Sequence, residues 1–218
     1  MNTGTLTSTQ LADARISFLG KTYGMLALCI GAGSLGAYAS LGLSFPLMHP
    51  WLTLFMMMGS IFLVQAVRHT PGINIIALLG FGALTGFSIS PLVGLVAAKS
   101  GMLVAQAFMS TAVAFVGLTA YAFVSRRDFS FLRGFVWMGL VAVIILGLSN
   151  LFFHSGTMAL ALSGISVVLF SAFILYDTSA ILRTYPNDEY IAAALTLYLD
   201  VFLLFENLLA MFGMLNDD

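Results

Sequence analysis

Charged residues are scarce in this chain, and their scarcity excludes a water-soluble domain. Only 8% of the 218 residues are Asp, Glu, Lys or Arg, whereas soluble domains carry about 25%. Hydrophobic residues make up 60% of the sequence, so too few polar groups remain to cover a surface against water. This composition is typical of a chain whose solvent is lipid.

The sequence also has no excess of basic residues and no pair of cysteines. The formal net charge is −1, so there is no basic field to attract nucleic acid, and we expect no nucleic-acid partner. The single cysteine, Cys29, cannot form an internal disulfide or a thiolate metal site alone. We expect no cofactor. The first residues lack the basic, then apolar, order of a cleaved signal peptide.

Seven long apolar runs, separated by charges and prolines, fill the sequence. They cover residues 23–45, 51–67, 73–98, 102–124, 131–153, 158–182 and 190–215. About 20 apolar residues span a bilayer as a helix, and backbone in lipid must satisfy its own hydrogen bonds. The runs therefore predict an all-α polytopic membrane protein with seven transmembrane helices. One membrane domain (23–215) would follow a cytoplasmic tail (1–22) and precede an external acidic tail (216–218).

The basic residues predict the orientation of these helices. With the N-terminus inside, seven of the eight basic residues fall on the cytoplasmic side. They are Arg15, Lys21, Arg68, Arg126, Arg127, Arg133 and Arg183. Only Lys99 falls outside. Because cytoplasmic loops of membrane proteins are enriched in Lys and Arg, we expect a cytoplasmic N-terminus and an external C-terminus.

Three acidic residues lie inside the predicted helices: Asp177 in the sixth run, and Asp200 and Glu206 in the seventh. A charge near the bilayer centre costs roughly 2.5–3.5 kcal/mol, so these acids should face the bundle interior and be paired or protonated. The short connection between the last two runs makes their helices antiparallel neighbours. Asp177 and Asp200 are therefore expected to approach each other in the cytoplasmic half.

Polar side chains share the faces of these acids at 100° per residue. They are Thr196 and Asn207 beside Asp200, and Ser163 and Ser166 beside Asp177. The pattern predicts a hydrated path between the two helices. Glu206 falls about 120° from Asp200 and is expected on another face. Structural roles stay open for each acid: a helix-end cap for Asp177, a hydrogen-bonded core acid for Asp200, and either role for Glu206.

Paired carboxylates have a distinct chemistry, since they release their protons in two separate steps that belong to the pair. Such a pair can bind a hard cation through its oxygens or sense pH and shift a gate. Arg68 closes the second run, and its guanidinium could bridge two carboxylates with forked hydrogen bonds. The alternative for Arg68 is a simple anchor at the cytoplasmic surface.

Signs of an enzyme are absent from the sequence. The three histidines, His49, His69 and His154, lie at predicted helix ends on both sides and cannot share one metal site with Asp200. There is no nucleophile-elbow motif and no glycine-rich phosphate loop. We expect no enzymatic activity, and an intramembrane hydrolase would lack a nucleophile and base.

Three stretches carry a resemblance to a known family. They are RRDFSFL at 126–132, ILYDT around Asp177, and ALTLYLDVFLLFENLLAMFG at 194–213. The chain resembles the Bax inhibitor family, also called the transmembrane Bax-inhibitor-motif family, and is most similar to its bacterial members. The resemblance implies a seven-helix bundle with the last helix in the centre, in the bacterial inner membrane.

The resemblance also implies a function and roles for named residues. It implies a pH-sensitive calcium leak channel or calcium/proton exchanger, with Asp177 and Asp200 as the pH sensor and as transient calcium ligands. Arg68 matches the arginine that latches this pair. Glu206 departs from the family pattern, where an apolar residue is usual. The alternative is a non-transporting regulator of a membrane protease or a quality-control partner. The expected partners are thus lipids, calcium and, in that alternative, a protease.

Overall fold

A computed structural model describes residues 8–125 and 127–216, and these residues form seven long helices and one short one. The helices are α1 (Ser8–Ala39), α2 (Phe45–Met48), α3 (Pro50–Val67), α4 (Ile73–Lys99), α5 (Gly101–Ser125), α6 (Leu132–Phe153), α7 (Gly156–Arg183) and α8 (Tyr190–Leu215). The seven long helices are long and apolar enough to cross a membrane. The predicted all-α fold with seven membrane helices is confirmed.

The ends of α3 to α8 agree with the sequence to within two residues, whereas α1 differs at both ends. It ends at Ala39, six residues before the predicted end at 45. That helix begins at Ser8, inside the segment 1–22 that was predicted to be a tail. Within this segment, Arg15 donates to acceptors in the turn between α7 and α8, which attaches the first turns of α1 to the bundle. Arg126 and the end of the acidic tail, 217–218, lie outside the described residues.

Helix α8 lies at the centre of the bundle. It packs against α1, α3, α4, α5 and α7, and it buries residues from Ile191 near its start to Gly213 near its end. Because neighbours surround it, polar groups on α8 can be shielded from lipid on every side. The central position implied by the family resemblance is confirmed.

Close contact between α1 and α4 depends on glycine. A methyl group on Gly86 would overlap the carbonyl oxygen of Gly33, and one on Gly36 would overlap the backbone at Ala83. Small residues let membrane helices approach in this way. By contrast, α6 packs mainly on α7, which leaves space between α4 and α6.

The two ends of the bundle differ in character. We call the end that carries the α7–α8 turn (184–189) the hairpin end, where α3, α5 and α7 finish. The other is the opposite end, where α4, α6 and α8 finish and α7 begins. Arg15, Lys21 and Arg68 lie toward the hairpin end, and Lys99 lies at the opposite end.

Candidate functional site

Asp177 on α7 and Asp200 on α8 meet inside the bundle, where their carboxyl groups are hydrogen-bonded to each other. Asp200 is only 5% exposed, and its Oδ2 has no hydrogen-bond partner within the described part of the chain. An ionised carboxylate is an acceptor only, so a hydrogen bond between two carboxyl groups requires a proton on one of them. The predicted approach of these residues is confirmed. Their role as a sensor stays a prediction.

Apolar side chains surround this pair on both helices. Ile174 and Ile181 on α7, and Leu197 and Leu204 on α8, have no exposed surface. An unpaired carboxylate among such neighbours would be costly, because burying a charge without compensation costs far more than burying a neutral group. The surroundings therefore favour a state in which the two carboxyl groups share a proton or hold a cation.

Tyr185 and Thr196 lie beside the pair toward the hairpin end. The Tyr185 hydroxyl is 3.3 Å from Thr196 Oγ1, and Thr196 is one helical turn from Asp200. Burial raises the pKa of Tyr185, and the negative charges of Asp177, Asp200 and Glu189 raise it further, while the Thr196 hydrogen bond lowers it. Tyr185 is therefore neutral at the edge of the site, and either hydroxyl can be the donor in its hydrogen bond with Thr196.

Arg68 does not contact this pair. Its Nη2 lies 3.4 Å from Glu189 Oε1, its Nε donates to His69 Nε2 at 3.1 Å, and its Nη1 donates to Gln65. The structure thus corrects the expectation that Arg68 bridges the aspartates. Arg68 follows the last residue of α3, level with Glu189 at the start of α8, and Asp200 is eleven residues, about 16 Å, further along that helix.

Arg15 holds the turn beside the aspartate pair, a role that was not predicted from the sequence. Its Nη1 donates to the carbonyl oxygen of Tyr185 at 2.7 Å and to Asn187 Oδ1 at 2.9 Å, and its Nη2 donates to the carbonyl oxygen of Ile181. These bonds fasten α1 to the α7–α8 turn. No local signal reveals them, because the partners are more than 160 residues away.

A second polar region opens at the opposite end, in a cavity of about 680 Å³ between α4, α6, α7 and α8. We call it the Glu206 cavity. Its polar lining consists of Asn150, Ser163, Ser166, Glu206 and Asn207, with Lys99 at the end of α4. Glu206, expected on a different face from Asp200, lines this cavity together with its neighbour Asn207. Adjacent residues lie 100° apart, and the space between α4 and α6 is wide enough to admit both.

Apolar side chains separate the two polar regions. Phe170 on α7 lies between Ser166 and Asp177 on the same helix face and is buried. On α8, Leu203 and Leu204 lie between Asp200 and the cavity residues. The polar stripes therefore do not form one continuous path. Thr196 belongs with the aspartate pair, whereas Ser166, Glu206 and Asn207 belong to the cavity.

Neither region offers a dense metal site. Within residues 8–125 and 127–216, no group of three or more His, Cys, Asp or Glu side chains is placed to hold a metal ion. Calcium accepts six to eight oxygen ligands and tolerates carbonyls and waters among them. Among the His, Cys, Asp and Glu side chains of the described residues, an ion at the aspartate pair would therefore meet only the two carboxyl groups.

Comparison with known proteins places this chain in a family. The family described as "Inhibitor of apoptosis-promoting Bax1" matches residues 15–217. A membrane protein of Vibrio cholerae is 32% identical over the full length of both chains. Protein lifeguard 4 of Mus musculus is 32% identical, with 99% of this chain and 92% of the relative covered.

A viral relative extends the same similarity. The Golgi anti-apoptotic protein of Vaccinia virus (strain Lister) is 33% identical, with 99% of this chain and 92% of the relative covered. The match to the family thus includes both helices that carry the aspartate pair and the whole of the central α8. This chain is a multi-pass membrane protein that belongs to the Bax inhibitor family.

Proposed function

We propose that this protein is a pH-sensitive, calcium-permeable leak channel or calcium/proton exchanger of the bacterial inner membrane. The observation that carries the proposal is the hydrogen bond between the Asp177 and Asp200 carboxyl groups in the membrane-embedded core. Ionisable residues inside membrane helices are rare and mark ion or proton pathways. Bacterial relatives such as that of Vibrio cholerae support this location.

The pair works as a proton-controlled contact between α7 and α8. While one proton is shared, the hydrogen bond holds the two helices together. When that proton leaves, two negative charges face each other in a medium of low dielectric and repel strongly. The repulsion is relieved by separating the helices or by admitting a cation between the oxygens. A proton and calcium would thus compete for the carboxyl oxygens of Asp177 and Asp200. Such competition is compatible with a gated calcium leak and with calcium/proton exchange.

The orientation in this proposal follows from the basic residues. Those described near the hairpin end are Arg15, Lys21, Arg68, Arg127, Arg133 and Arg183, and Lys99 is at the opposite end. The positive-inside tendency then turns the hairpin end to the cytoplasm and the Glu206 cavity to the outside. Calcium entering from outside would meet the cavity first and the aspartate pair last.

Calcium flux into dye-loaded liposomes tests the proposal. The wild-type protein should pass calcium at a rate that changes with pH, because the pair titrates. Asp200→Asn should remove that pH dependence, since an amide cannot share a titrating proton. Asp188→Asn is the matched control, because Asp188 is an exposed acid in the α7–α8 turn. Wild-type flux that is the same from about pH 5 to about pH 8, around the range in which such pairs titrate, would refute the proposal.

A non-transporting regulator of a membrane protease or of a quality-control partner is the second candidate. The relatives named lifeguard and anti-apoptotic favour it, since those names describe protection rather than transport. Photo-crosslinking in native membranes distinguishes the two. Purified protein that passes no calcium in liposomes, yet crosslinks to a membrane protease or secretion component, would support the regulator.

A further inference from the structure

Glu206 faces the Glu206 cavity. Across the described residues it takes part in no ion pair and no hydrogen bond. A carboxylate within a membrane helix needs water or a counter-charge to offset the loss of solvation. The cavity, at about 680 Å³, is many times the minimum of about 10–15 Å³ that holds one water. The cavity is therefore large enough for a hydrated cation that would offset the charge of Glu206.

Neutral oxygen atoms that can act as cation ligands lie at a similar depth to Glu206. Ser163 and Ser166 line the cavity although they are only 7% and 1% exposed, and their hydroxyls bond to no other described residue. Asn207 Nδ2 donates to the Leu203 carbonyl at 2.7 Å, which leaves its Oδ1 as an acceptor. Counted from the opposite end, Ser163 lies about 10 Å and Glu206 about 13 Å deep.

The basic residue that lines the cavity is held away from Glu206. Lys99 Nζ donates to the carbonyl oxygen of Gly213 at 2.9 Å. Gly213 is seven residues beyond Glu206 on α8, or about 10 Å nearer the opposite end. The Glu206 carboxylate and its oxygen neighbours therefore form a negative patch that lies deeper in the bundle than the Lys99 ammonium group.

We propose that the Glu206 cavity is a second cation site, distinct from the aspartate pair, that binds hydrated calcium weakly. Glu206 supplies the charge, Asn207 Oδ1 and the two serine hydroxyls supply neutral oxygens, and water completes the shell. With one carboxylate, the affinity should fall near the weak end of biological calcium sites, about 0.1–1 mM. Such weak binding suits an entry site, because an ion must also leave it. Binding at this site does not require transport.

Cysteine accessibility tests this site in lipid nanodiscs, where both ends of the bundle meet solvent. The natural Cys29 is fully buried and is replaced by alanine. Ser163→Cys then places a nearly isosteric thiol in the cavity. We expect a cationic methanethiosulfonate to modify it about tenfold faster than an anionic one of similar size, because of the nearby carboxylate. Calcium at about 10 mM, above the expected dissociation constant, should slow modification several-fold.

Three further variants make the outcome decisive. Adding Glu206→Gln should abolish both the charge preference and the protection by calcium, whereas Glu206→Asp should retain both. Leu148→Cys on the exposed surface of α6 is the lipid-facing control and should react slowly with both reagents. An unreactive Ser163→Cys, or equal rates with no calcium protection at about pH 8, would overturn the proposal. The result is independent of whether Asp200→Asn alters calcium flux, so failure of the transport proposal is recognised separately.

Discussion

Asp200 and Glu206 lie six residues apart on the same central helix, yet their surroundings differ completely. Asp200 meets a second carboxyl group where α7 and α8 are drawn together by a six-residue turn that Arg15 fastens. Glu206 faces a cavity because α6 packs mainly on α7 and leaves a gap beside α4. The comparison shows that helix packing decides whether a membrane carboxyl group meets a second carboxyl group or faces a cavity.

The largest effect is expected from Phe170→Ala, which removes the α7 part of the apolar barrier between the two regions. Loss of the ring would let water connect the cavity to the aspartate pair, and hydrophobic constrictions gate by excluding water. We expect calcium leak to rise at least about tenfold, which a barrier lower by about 1.4 kcal/mol would produce. The liposome assay measures this change.

Stability must be separated from leak in that experiment. A buried Phe→Ala change costs about 3–5 kcal/mol, so Phe81→Ala, at an equally buried position on α4, should lower stability without raising the leak. An equal leak in both variants would mean that general loosening is responsible. The two regions would then not be separated by Phe170.

An intermediate effect is expected at the contact between Arg68 and Glu189. Their side chains are 38% and 15% exposed, so the ion pair should contribute no more than about 1 kcal/mol. A double-mutant cycle with Arg68→Ala and Glu189→Gln should show coupling, measured by denaturant unfolding. Arg68→Ala and Asp200→Asn should instead be additive within about 0.5 kcal/mol. Coupling to Asp200 would restore Arg68 as a latch on the pair.

The smallest effect is expected from Tyr185→Phe at the edge of the aspartate pair. Because the folded-state pKa of Tyr185 is raised, its neutral form favours the fold below the ordinary tyrosine pKa of about 10, and this contribution is lost as the pH rises above that value. Thermal unfolding from about pH 8 to about pH 11 should therefore be flatter in Tyr185→Phe, by less than about 1 kcal/mol. The exposed Tyr38 provides the control, and an equal flattening in Tyr38→Phe would contradict the assignment.

Much of the fold was accessible from the sequence because charges and prolines interrupt the apolar runs at the helix ends. The meeting of Asp177 and Asp200 was also predictable, since a short turn forces α7 and α8 to be antiparallel neighbours. Both inferences use short-range rules: the length needed to span a bilayer, and the geometry of one hairpin.

The remaining contacts depend on which distant helices touch, and local patterns do not carry that information. Arg15 bonds residues more than 160 positions away, and Arg68 finds Glu189 because α3 and α8 share an end of the bundle. The Glu206 cavity exists because two helices leave a gap. A helical wheel places Glu206 and Asn207 100° apart, and it cannot show that one cavity is wide enough to contact both side chains.

Infrared titration of the carboxyl groups tests whether Asp177 and Asp200 share a titrating proton. The wild-type protein should show a protonated-carboxyl band that disappears over the same pH range in which calcium flux changes. Asp177→Asn and Asp200→Asn should both remove the band and the pH dependence of flux, whereas Glu206→Gln should retain both. A band that survives in Asp200→Asn, or a flux change at a different pH from the band, would mean that proton release from the pair does not control calcium flux.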